Sequence, residues 1–323
     1  MDATINRKLT KTGDIAQIAV VVVTYNRCQL LLENIEALRE QDFCERYDVL
    51  IIDNASTDGT QDEVKALLEK ETEASGLMRL KYQNTGANLG GAGGFQYGVR
   101  WAVEHGYEYI WLMDDDCLPR PDALTALTTA GKKAGNFGWL SSKALWKDGS
   151  LCAMNVQKQS LLKKVEDFES ELSPAIMATF VSLFLSADMV REVGLPIKEF
   201  FIWSDDFEYT RRISRLYPCY VCNHSVVLHK TASNVGSNIA MDSLQRLPRY
   251  GYMYRNEFYL YRREGVKGLA YQAARVVYHI LRILRDAPSH RGARLACLLK
   301  SVCKGFAFHP NIEFPCSSVE QKS

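Results

Sequence analysis

The run Ile18-Ala19-Val20-Val21-Val22-Val23 constrains the fold of this chain more than any other stretch. Successive apolar residues, most of them β-branched, are typical of a strand that is buried on both faces. Strands of that kind belong to parallel sheets, whose crossover helices cover both sides. The run therefore predicts a parallel sheet between two layers of helices.

Strand-like and helix-like segments alternate after this run. Short apolar runs lie at Val49–Ile52 and Trp111–Met113, Arg79–Tyr82 is predicted as a short third strand, and helical patterns cover 29–41 and 62–71. This alternation predicts a doubly wound α/β sheet, in which ligands bind beyond the carboxyl ends of the strands. We expect the polar residues at those ends to gather along one edge: Thr24, Tyr25, Asn26, Arg27, Asp53, Asn54, Asn84 and Asp114 to Asp116.

Three adjacent carboxylates, Asp114-Asp115-Asp116, follow the strand-like run that ends at Met113. They would repel one another unless a positive charge lay between them, and a hard divalent cation is the usual partner. The alternative is an acidic turn that simply closes a buried strand. Because alternate residues of an extended chain face the same way, Asp114 and Asp116 are the predicted metal ligands.

A glycine-rich stretch, Asn88 to Phe95, lies between the third strand and the next helix. Glycine lets the backbone approach a ligand closely and leaves amide donors free at a helix N-terminus, where anions bind. The spacing matches neither a Walker loop nor a dinucleotide fingerprint. The stretch therefore predicts an anion site or, alternatively, a structural loop without a ligand.

A second acidic pair, Asp205-Asp206, follows Trp203 and opens a helical pattern. Capping of that helix by Ser204 or Asp205 would explain one of the acids. An aromatic ring beside two aspartates is also suited to stacking on a sugar, and a shielded carboxylate near a metal-bound phosphate can act as a general base.

His229 ends the strand-like run Val226-Val227-Leu228-His229. A lone histidine at a strand end is more often a hydrogen-bonded core residue than a ligand. It becomes a metal-ligand candidate if its strand ends beside Asp114 to Asp116.

Composition and charge narrow the partners and the compartment. The 323 residues carry a net charge of +1, so no overall positive field attracts nucleic acid. Nine scattered cysteines indicate reduced thiols, because a chain of this size needs no disulfides for stability. Cys219 and Cys222 have CxxC spacing but no second pair nearby, so we interpret them as core residues. The longest uncharged run, Leu172 to Ala187, has 16 residues and is too short for a membrane-spanning helix.

The residues after Gly236 are strongly basic. From Arg255 to Lys304 there are eleven Lys or Arg residues against three acids. Apolar residues recur there at helical spacing with arginines between them, for example Val276, Ile280, Ile283 and Leu284. Amphipathic basic helices of this kind lie on anionic membrane surfaces, and the alternative is a solvated helical cap on the preceding domain.

The chain resembles the inverting glycosyltransferases of family 2, which have the GT-A fold, a Rossmann-like and mostly parallel sheet flanked by helices. The resemblance covers about Ile18 to Arg263 and rests on the order and spacing of Thr24 to Arg27, Asp53 to Thr60, Asp114 to Asp116, and Asp205-Asp206 ahead of Arg211-Arg212. Features similar to the galactofuranosyltransferases of that family are Asn88 to Phe95, Phe201 to Asp206, His229 and Tyr254-Arg255-Asn256.

The resemblance implies a role for each matching residue. Asp53 would read the uracil of the donor, with Arg27 and Asn88 assisting. Asp114, Asp116 and His229 would coordinate Mn2+ or Mg2+ at the diphosphate. Asp206 would deprotonate the acceptor hydroxyl, in a pocket with Trp203, Asp205 and Glu208. The other expected donor contacts are Thr24, Tyr25, Gly90, Gly91, Gly93, Gly94 and Asp115.

The implied activity is metal-dependent, inverting transfer of galactofuranose from UDP-galactofuranose to a hydroxyl of a lipid-linked glycan, in the synthesis of a cell-surface polysaccharide such as O-antigen. A cation and backbone amides would stabilise charge on the leaving diphosphate, and one base across the sugar suffices for a single displacement. Two alternatives stay open: a rhamnosyltransferase that uses a dTDP-sugar, and an inactive glycan-binding or scaffold subunit of a polysaccharide assembly complex.

The predicted organisation is a polar tail at 1–14, a GT-A catalytic domain at 15–235, a basic helical extension at 236–314 and a disordered tail at 315–323. Within the catalytic domain, residues from about 15 to 120 would bind the nucleotide and those from about 121 to 235 the acceptor. We expect a cytoplasmic protein that is peripheral on the inner face of the cell membrane. Nothing in the sequence excludes a homo-oligomer.

Overall fold

The computed structural model describes residues 17–71 and 77–316, and the predicted tail at 1–14 lies outside them. The strands are β1 (Ile18–Thr24), β2 (Tyr47–Asp53), β3 (Met78–Asn84), β4 (Tyr109–Asp114), β5 (Cys117–Pro119), β6 (Leu140–Leu145), β7 (Leu172–Pro174), β8 (Leu183–Ser186) and β9 (Tyr220–His229). The helices are α1 (Cys28–Arg39), α2 (Thr60–Glu71), α3 (Gly90–Glu104), α4 (Ala123–Ala134), α5 (Ala187–Val193), α6 (Asp205–Ser214), α7 (Leu247–Arg262), α8 (Gly265–Asp286) and α9 (Arg291–Ala307).

One central sheet organises the molecule, with the strand order β3-β2-β1-β4-β8-β6-β9-β5 and β7 paired to β9. The sheet is parallel from β3 through β4. It is mixed beyond β4, where β8 runs antiparallel to β4 and β9 runs parallel to β6. The predicted parallel sheet is therefore confirmed in the first half of the chain.

The two faces of β1 belong to two different hydrophobic cores. Val21 and Val23 pack with Phe95 and Val99 of α3 on one side. Val20 and Val22 pack with α1 on the other side. Every residue of β1 is buried, as the uninterrupted β-branched run predicts. The central sheet is thus covered by helices on both faces.

The uncharged stretch 175–185 does not form one continuous strand. β7 precedes it, β8 occupies its end, and the segment between them packs on α6. There the Thr210 hydroxyl of α6, rather than a neighbouring strand, binds the Ala178 backbone. It accepts from the Ala178 amide at 3.1 Å and donates to the Ala178 carbonyl at 3.2 Å. The apolar composition predicted burial correctly but not the pairing partner.

The C-terminal helices form the helical extension expected from the sequence. α7, α8 and α9 enclose a hydrophobic cluster that includes Tyr250, Tyr254, Ile283 and Leu298. Among the residues that the structure describes, no helix is both long and apolar enough to cross a membrane.

The segment after α9 returns to the α/β domain. Glu313 forms an ion pair with Arg100 of α3 at 2.5 Å, and its carbonyl accepts from the Leu195 amide. The Cys316 amide donates to Glu104 of the same helix at 2.9 Å. Of the tail predicted to be disordered at 315–323, residues 317–323 lie outside the described ranges. All nine cysteines are free thiols, and Cys219 and Cys222 are buried as predicted.

Candidate active site

Four strands deliver polar side chains to one edge of the sheet. The register aligns Thr24 with Asp53, and Asp53 with Asn84. Asp114 lies beside Val23 on the opposite side of β1. The carboxyl ends of β1 to β4 therefore meet at one edge, as the alternating pattern predicted.

Asp115 is held by two side chains of the neighbouring strand end. One of its oxygens accepts from the Thr24 hydroxyl at 2.7 Å and the other from the Arg27 guanidinium at 3.1 Å. The residue is only 3% exposed, so direct contact with a ligand, predicted from the sequence, is not supported. Asp115 instead holds Arg27, whose guanidinium also donates to Asp116 at 2.8 Å.

A cluster of potential metal ligands lies next to this pair. Asp114, Asp116, Cys117 and His229 each offer a ligand atom, and these atoms all lie within 4.8 Å of one another. Antiparallel pairing of β5 with β9 places Cys117 opposite His229. The structure thus brings together the three predicted ligands. It adds Cys117, which the sequence interpretation missed because β5 has only three residues.

The His229 ring is held on both sides. Its Nε2 lies 3.0 Å from Asp116, and its Nδ1 lies 2.8 Å from the side-chain oxygen of Asn155. Because an amide oxygen can only accept, Nδ1 carries the proton in that contact and Nε2 faces the carboxylates. Asn155 is itself held by the Cys152 thiol at 2.9 Å. No sequence pattern links Asn155 to His229, 74 residues away.

The charges of the cluster perturb one another strongly. Burial and repulsion from Asp116 raise the pKa of Asp114 to about 7. Burial also opposes ionisation of Asp116, but its hydrogen bond to His229 and the charges of His229 and Arg27 lower the pKa below its ordinary value. Burial favours a neutral His229, yet the hydrogen bond to Asp116 raises its pKa to about 10. Without a cation, the cluster therefore retains protons that a bound metal would displace.

The second acidic pair begins α6. Burial raises the pKa of Asp205 to about 6. Burial and the charge of Asp205 raise the pKa of Asp206 well above its ordinary value, and the charge of Asp114 adds to this effect. Because Asp114 contributes to the field at Asp206, the two acidic groups lie close enough to interact. The second pair thus lies within electrostatic range of Asp114.

The loop that delivers this pair has an unusual backbone. Phe201, Trp203 and Ser204 all have left-handed φ angles, of 61°, 66° and 68°. Such angles cost about 1 to 2 kcal/mol for each non-glycine residue, so the surrounding contacts must enforce them. Ser204 makes no side-chain capping bond to α6, which rules out the capping explanation for that residue.

Asn256 of α7 makes several of the contacts that hold this loop. Its fully buried amide donates to the carbonyls of Phe200 and Trp203, each at 2.9 Å. The Asn256 oxygen in turn accepts from Arg255 at 2.8 Å, and the Arg255 guanidinium lies 3.9 Å from the centre of the Phe308 ring. The C-terminal helices therefore fix the loop that carries the second acidic pair.

Two predicted acceptor residues have different surroundings from those expected. Glu208 is 2% exposed and forms an ion pair with Arg212 at 2.8 Å, while Arg212 binds the Val193 and Leu195 carbonyls. Glu208 is thus buried in an ion pair within the fold, and its place in an acceptor pocket stays a prediction. Trp203 is half-buried and packs edge-on against Tyr250, with 5.2 Å between ring centroids.

The glycine-rich stretch serves packing at most of its positions. Gly90 has a φ of +71°, and a Cβ there would lie 2.2 Å from the Phe201 carbonyl oxygen. A Cβ on Gly94 would lie 2.5 Å from the side chain of Val23. The first amides of α3 are already engaged, because the Gly90 amide donates to Asn88 and the Ala92 amide to Phe201. The anion site predicted at this helix could therefore not use the Gly90 and Ala92 amides in this arrangement.

Asp53 also differs from its predicted role. It is fully buried, and its two oxygens accept from the Tyr82 hydroxyl at 2.6 Å and from the Ser56 amide at 2.8 Å. Direct reading of uracil by Asp53 is not supported by this arrangement. Tyr25 and Arg27, by contrast, are exposed at the same edge, with 43% of Tyr25 and 49% of the Arg27 side chain accessible.

The family model described as Glycosyl transferase family 2 matches residues 19–136, which span β1 to α4 and contain Asp114 to Asp116. The chain carries a glycosyl transferase family 2 domain. Asp206 and His229 lie beyond the matched residues of this family 2 domain, in the part of the sheet that follows it.

Named relatives extend the likeness beyond the family 2 domain. A galactofuranosyltransferase GlfT1 of Mycolicibacterium smegmatis is 26% identical over 269 residues, which cover 78% of this chain and 85% of that protein. The GlfT1 of Mycobacterium tuberculosis H37Rv is 25% identical over 264 residues, covering 78% of this chain and 84% of that protein. An undecaprenyl-phosphate mannosyltransferase of Micrococcus luteus is 32% identical over 118 residues, covering 36% of this chain and 45% of that protein.

Solved structures share the fold. The Staphylococcus aureus TarS 1-349 complex with UDP-GlcNAc has a TM-score of 0.50 at 14% identity, covering 90% of this chain and 73% of that one. The mannosyltransferase PcManGT of Pyrobaculum calidifontis, in complex with GDP-Man and Mn2+, has a TM-score of 0.51 at 15% identity, covering 91% and 74%. The α/β domain thus has the GT-A fold, with a helical C-terminal region after it, as the sequence resemblance implied.

Proposed function

We propose that this protein transfers galactofuranose from UDP-galactofuranose to a hydroxyl of a lipid-linked glycan, with inversion, in the synthesis of a cell-surface polysaccharide. The observation that carries the chemistry is the grouping of Asp114, Asp116 and His229 within 4.8 Å, close to Asp206. The choice of donor is supported by the galactofuranosyltransferases that match 78% of the chain.

The ligand set fits a hard divalent cation. Carboxylate oxygens and an imidazole nitrogen suit Mn2+ and, for the carboxylates, Mg2+, whereas a thiol such as Cys117 suits softer metals. We therefore assign Asp114, Asp116 and His229 to Mn2+ or Mg2+. The Mn2+ complex of the mannosyltransferase neighbour supports this assignment. When bound, such a cation stabilises the negative charge of a departing diphosphate.

Arg27 is the proposed protein cation at the diphosphate. Asp115 and Asp116 hold its guanidinium at 3.1 and 2.8 Å, and half of the side chain remains exposed toward the strand ends. A guanidinium positioned in this way can donate its remaining N–H groups to phosphate oxygens. Thr24 contributes indirectly, because its hydroxyl holds Asp115.

Asp206 is the proposed general base. In the displacement, the acceptor oxygen forms a bond to the anomeric carbon, the bond from that carbon to the diphosphate breaks, and the acceptor proton passes to the Asp206 carboxylate. A carboxylate whose pKa is raised by burial is a stronger base than an exposed one. Asp205 and Trp203 line the same loop and remain the proposed acceptor contacts.

Transfer assays with purified protein test this proposal. UDP-galactofuranose and an alkyl galactofuranoside acceptor should give product with Mn2+ and none with EDTA, and the anomeric configuration of the product, read by NMR, should be inverted. Asp206→Asn should abolish transfer, whereas the control Asp188→Asn, at an 81% exposed side chain, should not. Turnover of a dTDP-sugar in place of UDP-galactofuranose would refute the donor assignment, and metal-independent turnover would refute the cation.

A further inference from the structure

The outer face of α8 differs from the face that the sequence suggested. Val276, Ile280 and Ile283 were expected to form an apolar surface, but they pack inward against α7 and α9. These residues therefore cannot meet an external partner. The helix presents a second apolar face to solvent instead, and its members were not part of the predicted pattern except for Leu284.

This second face is large and continuous along the helix. The exposed side chains are Val266 (84%), Leu269 (44%), Val277 (55%), Tyr278 (55%), Leu281 (60%) and Leu284 (48%). The exposed residues Ala270, Ala273 and Ala274 fill the turns between them. Val266 and Leu284 are five helical turns apart, a length of about 27 Å. Isolated surface leucines need no explanation, but a stripe of this extent marks an interaction surface.

The charge around the stripe is almost entirely positive. From Gly265 to Ala307 the chain has eight Lys or Arg residues and one acid, Asp286. Arg275 pairs with Glu257, and Arg294 binds the Ile239 carbonyl. Arg282 and Arg285 both pair with Asp286, at 3.9 and 2.6 Å, and Arg291 donates to the Ala287 carbonyl. Lys267, Arg285, Arg291, Lys300 and Lys304 remain exposed.

We propose that α8 lies flat on an anionic membrane surface, with this stripe inserted among the lipids and the exposed cations at the headgroups. Apolar residues on one face, with basic residues at its borders, favour the interface of an anionic bilayer. A second copy of this chain fits less well, because a two-fold contact would bring the same exposed cations together, and Asp286, the one acid from Gly265 to Ala307, is already paired with Arg282 and Arg285. A solvated cap would not require six large apolar side chains to face water.

Membrane binding by α8 would bring the enzyme to a lipid-linked acceptor. Only this biological purpose rests on the proposed function. α8 packs on α7, and Asn256 of α7 holds the loop before Asp205. The proposed membrane face therefore lies one helix layer from the acidic pair.

Vesicle co-sedimentation of the full chain tests the surface. The protein should bind vesicles of phosphatidylcholine with 30% phosphatidylglycerol and should bind phosphatidylcholine alone much more weakly. Val277→Glu with Leu281→Glu should weaken binding at least about tenfold. Lys267→Glu with Arg285→Glu should also weaken it, and binding by the wild type should fall as salt rises. Leu162→Glu and Leu216→Glu, at side chains 82% and 60% exposed elsewhere, are the matched controls.

Three results would overturn the inference. The first is equal vesicle binding by the Val277/Leu281 variant and the wild type. The second is a loss of vesicle binding in the Leu162 and Leu216 control variants as large as that in the Val277/Leu281 variant. The third is a wild type that forms a dimer and binds no vesicles, with the dimer dissociating in the Val277/Leu281 variant. The last result would assign the face to a second copy. Transfer to a soluble acceptor is measured on the same variants and should be unchanged, so a failed vesicle assay and a failed proposed activity remain distinguishable.

Discussion

Gly90→Ala tests how closely α3 and the loop before α6 must approach. A Cβ at this position would lie 2.2 Å from the Phe201 carbonyl oxygen, whereas ordinary contacts begin at 3.4 Å. The two backbones must therefore separate by about 1 Å, since neither atom is at the end of a flexible side chain. This separation would break the hydrogen bond from the Ala92 amide to the Phe201 carbonyl, now 3.1 Å.

The expected loss of stability combines two terms. An alanine held at φ +71° costs about 1 to 2 kcal/mol, and the lost backbone hydrogen bond about 1 kcal/mol. A total of about 2 to 3 kcal/mol corresponds to a fall in Tm of about 3 to 5 °C for a chain of this size. Because the displaced loop carries Asp206, we also expect turnover to fall about a hundredfold.

Gly91→Ala is the matched control. A Cβ on Gly91 meets nothing within 4 Å, and its φ is not left-handed. Alanine in that first turn of α3 should leave stability unchanged or raise it by about 0.5 kcal/mol. Differential scanning calorimetry and transfer kinetics of both variants are the assay. Equal Tm values and equal turnover for the two variants would refute the proposed close approach.

Four further predictions concern single side chains. Asn256→Asp should lower kcat at least about tenfold, because a carboxylate there would face two carbonyls. UDP affinity, measured by calorimetry, should not change. A matching loss of UDP affinity would contradict a role confined to the loop. Asn155→Ala should weaken Mn2+ binding about tenfold in EPR titrations by releasing the His229 ring, and unchanged affinity would exclude that support. Glu208→Gln should destabilise the fold by about 3 kcal/mol without changing the KM for acceptor; a changed KM at constant Tm would support the pocket role. Asp206→Asn should raise Tm more at pH 8 than at pH 4, measured with EDTA present. Burial holds the pKa of Asp206 in the folded protein above its value in the unfolded chain, so the wild type loses stability as pH rises through this window. An equal change in Tm at both pH values would contradict the buried charge.

The sheet was predictable because its signal is local. Ile18 to Val23 requires burial on both faces wherever it is placed, and alternation with helices then fixes parallel pairing. Strand β5 was not predictable in the same way. Three residues carry no periodicity, and their structure depends on pairing with β9, whose His229 lies 112 positions from Cys117.

The acidic runs were visible in the sequence because several carboxylates together need a common explanation. The structure departs from the sequence interpretation where one residue type serves two purposes. Glycine permits close approach to a ligand or to another backbone, and at Gly90 the neighbour is the Phe201 carbonyl. Glu208 was grouped with its acidic neighbours, although Arg212 four residues later was a signal for a helical ion pair. Asn155 acts through a folded contact that no spacing could indicate, and Asn256, although part of the resemblance, gave no sign of the carbonyls that it binds.

The bonds from Asn256 to the Phe200 and Trp203 carbonyls have a consequence for protein engineering. They cross from the C-terminal helices into the α/β domain and hold the backbone just ahead of Asp205. A truncated enzyme that ends before α7 would lose that support together with the helices. Chimaeras that exchange C-terminal helices between homologous enzymes would need to exchange residues 199–206 with them. The C-terminal helices and the loop before Asp205 should therefore be exchanged together.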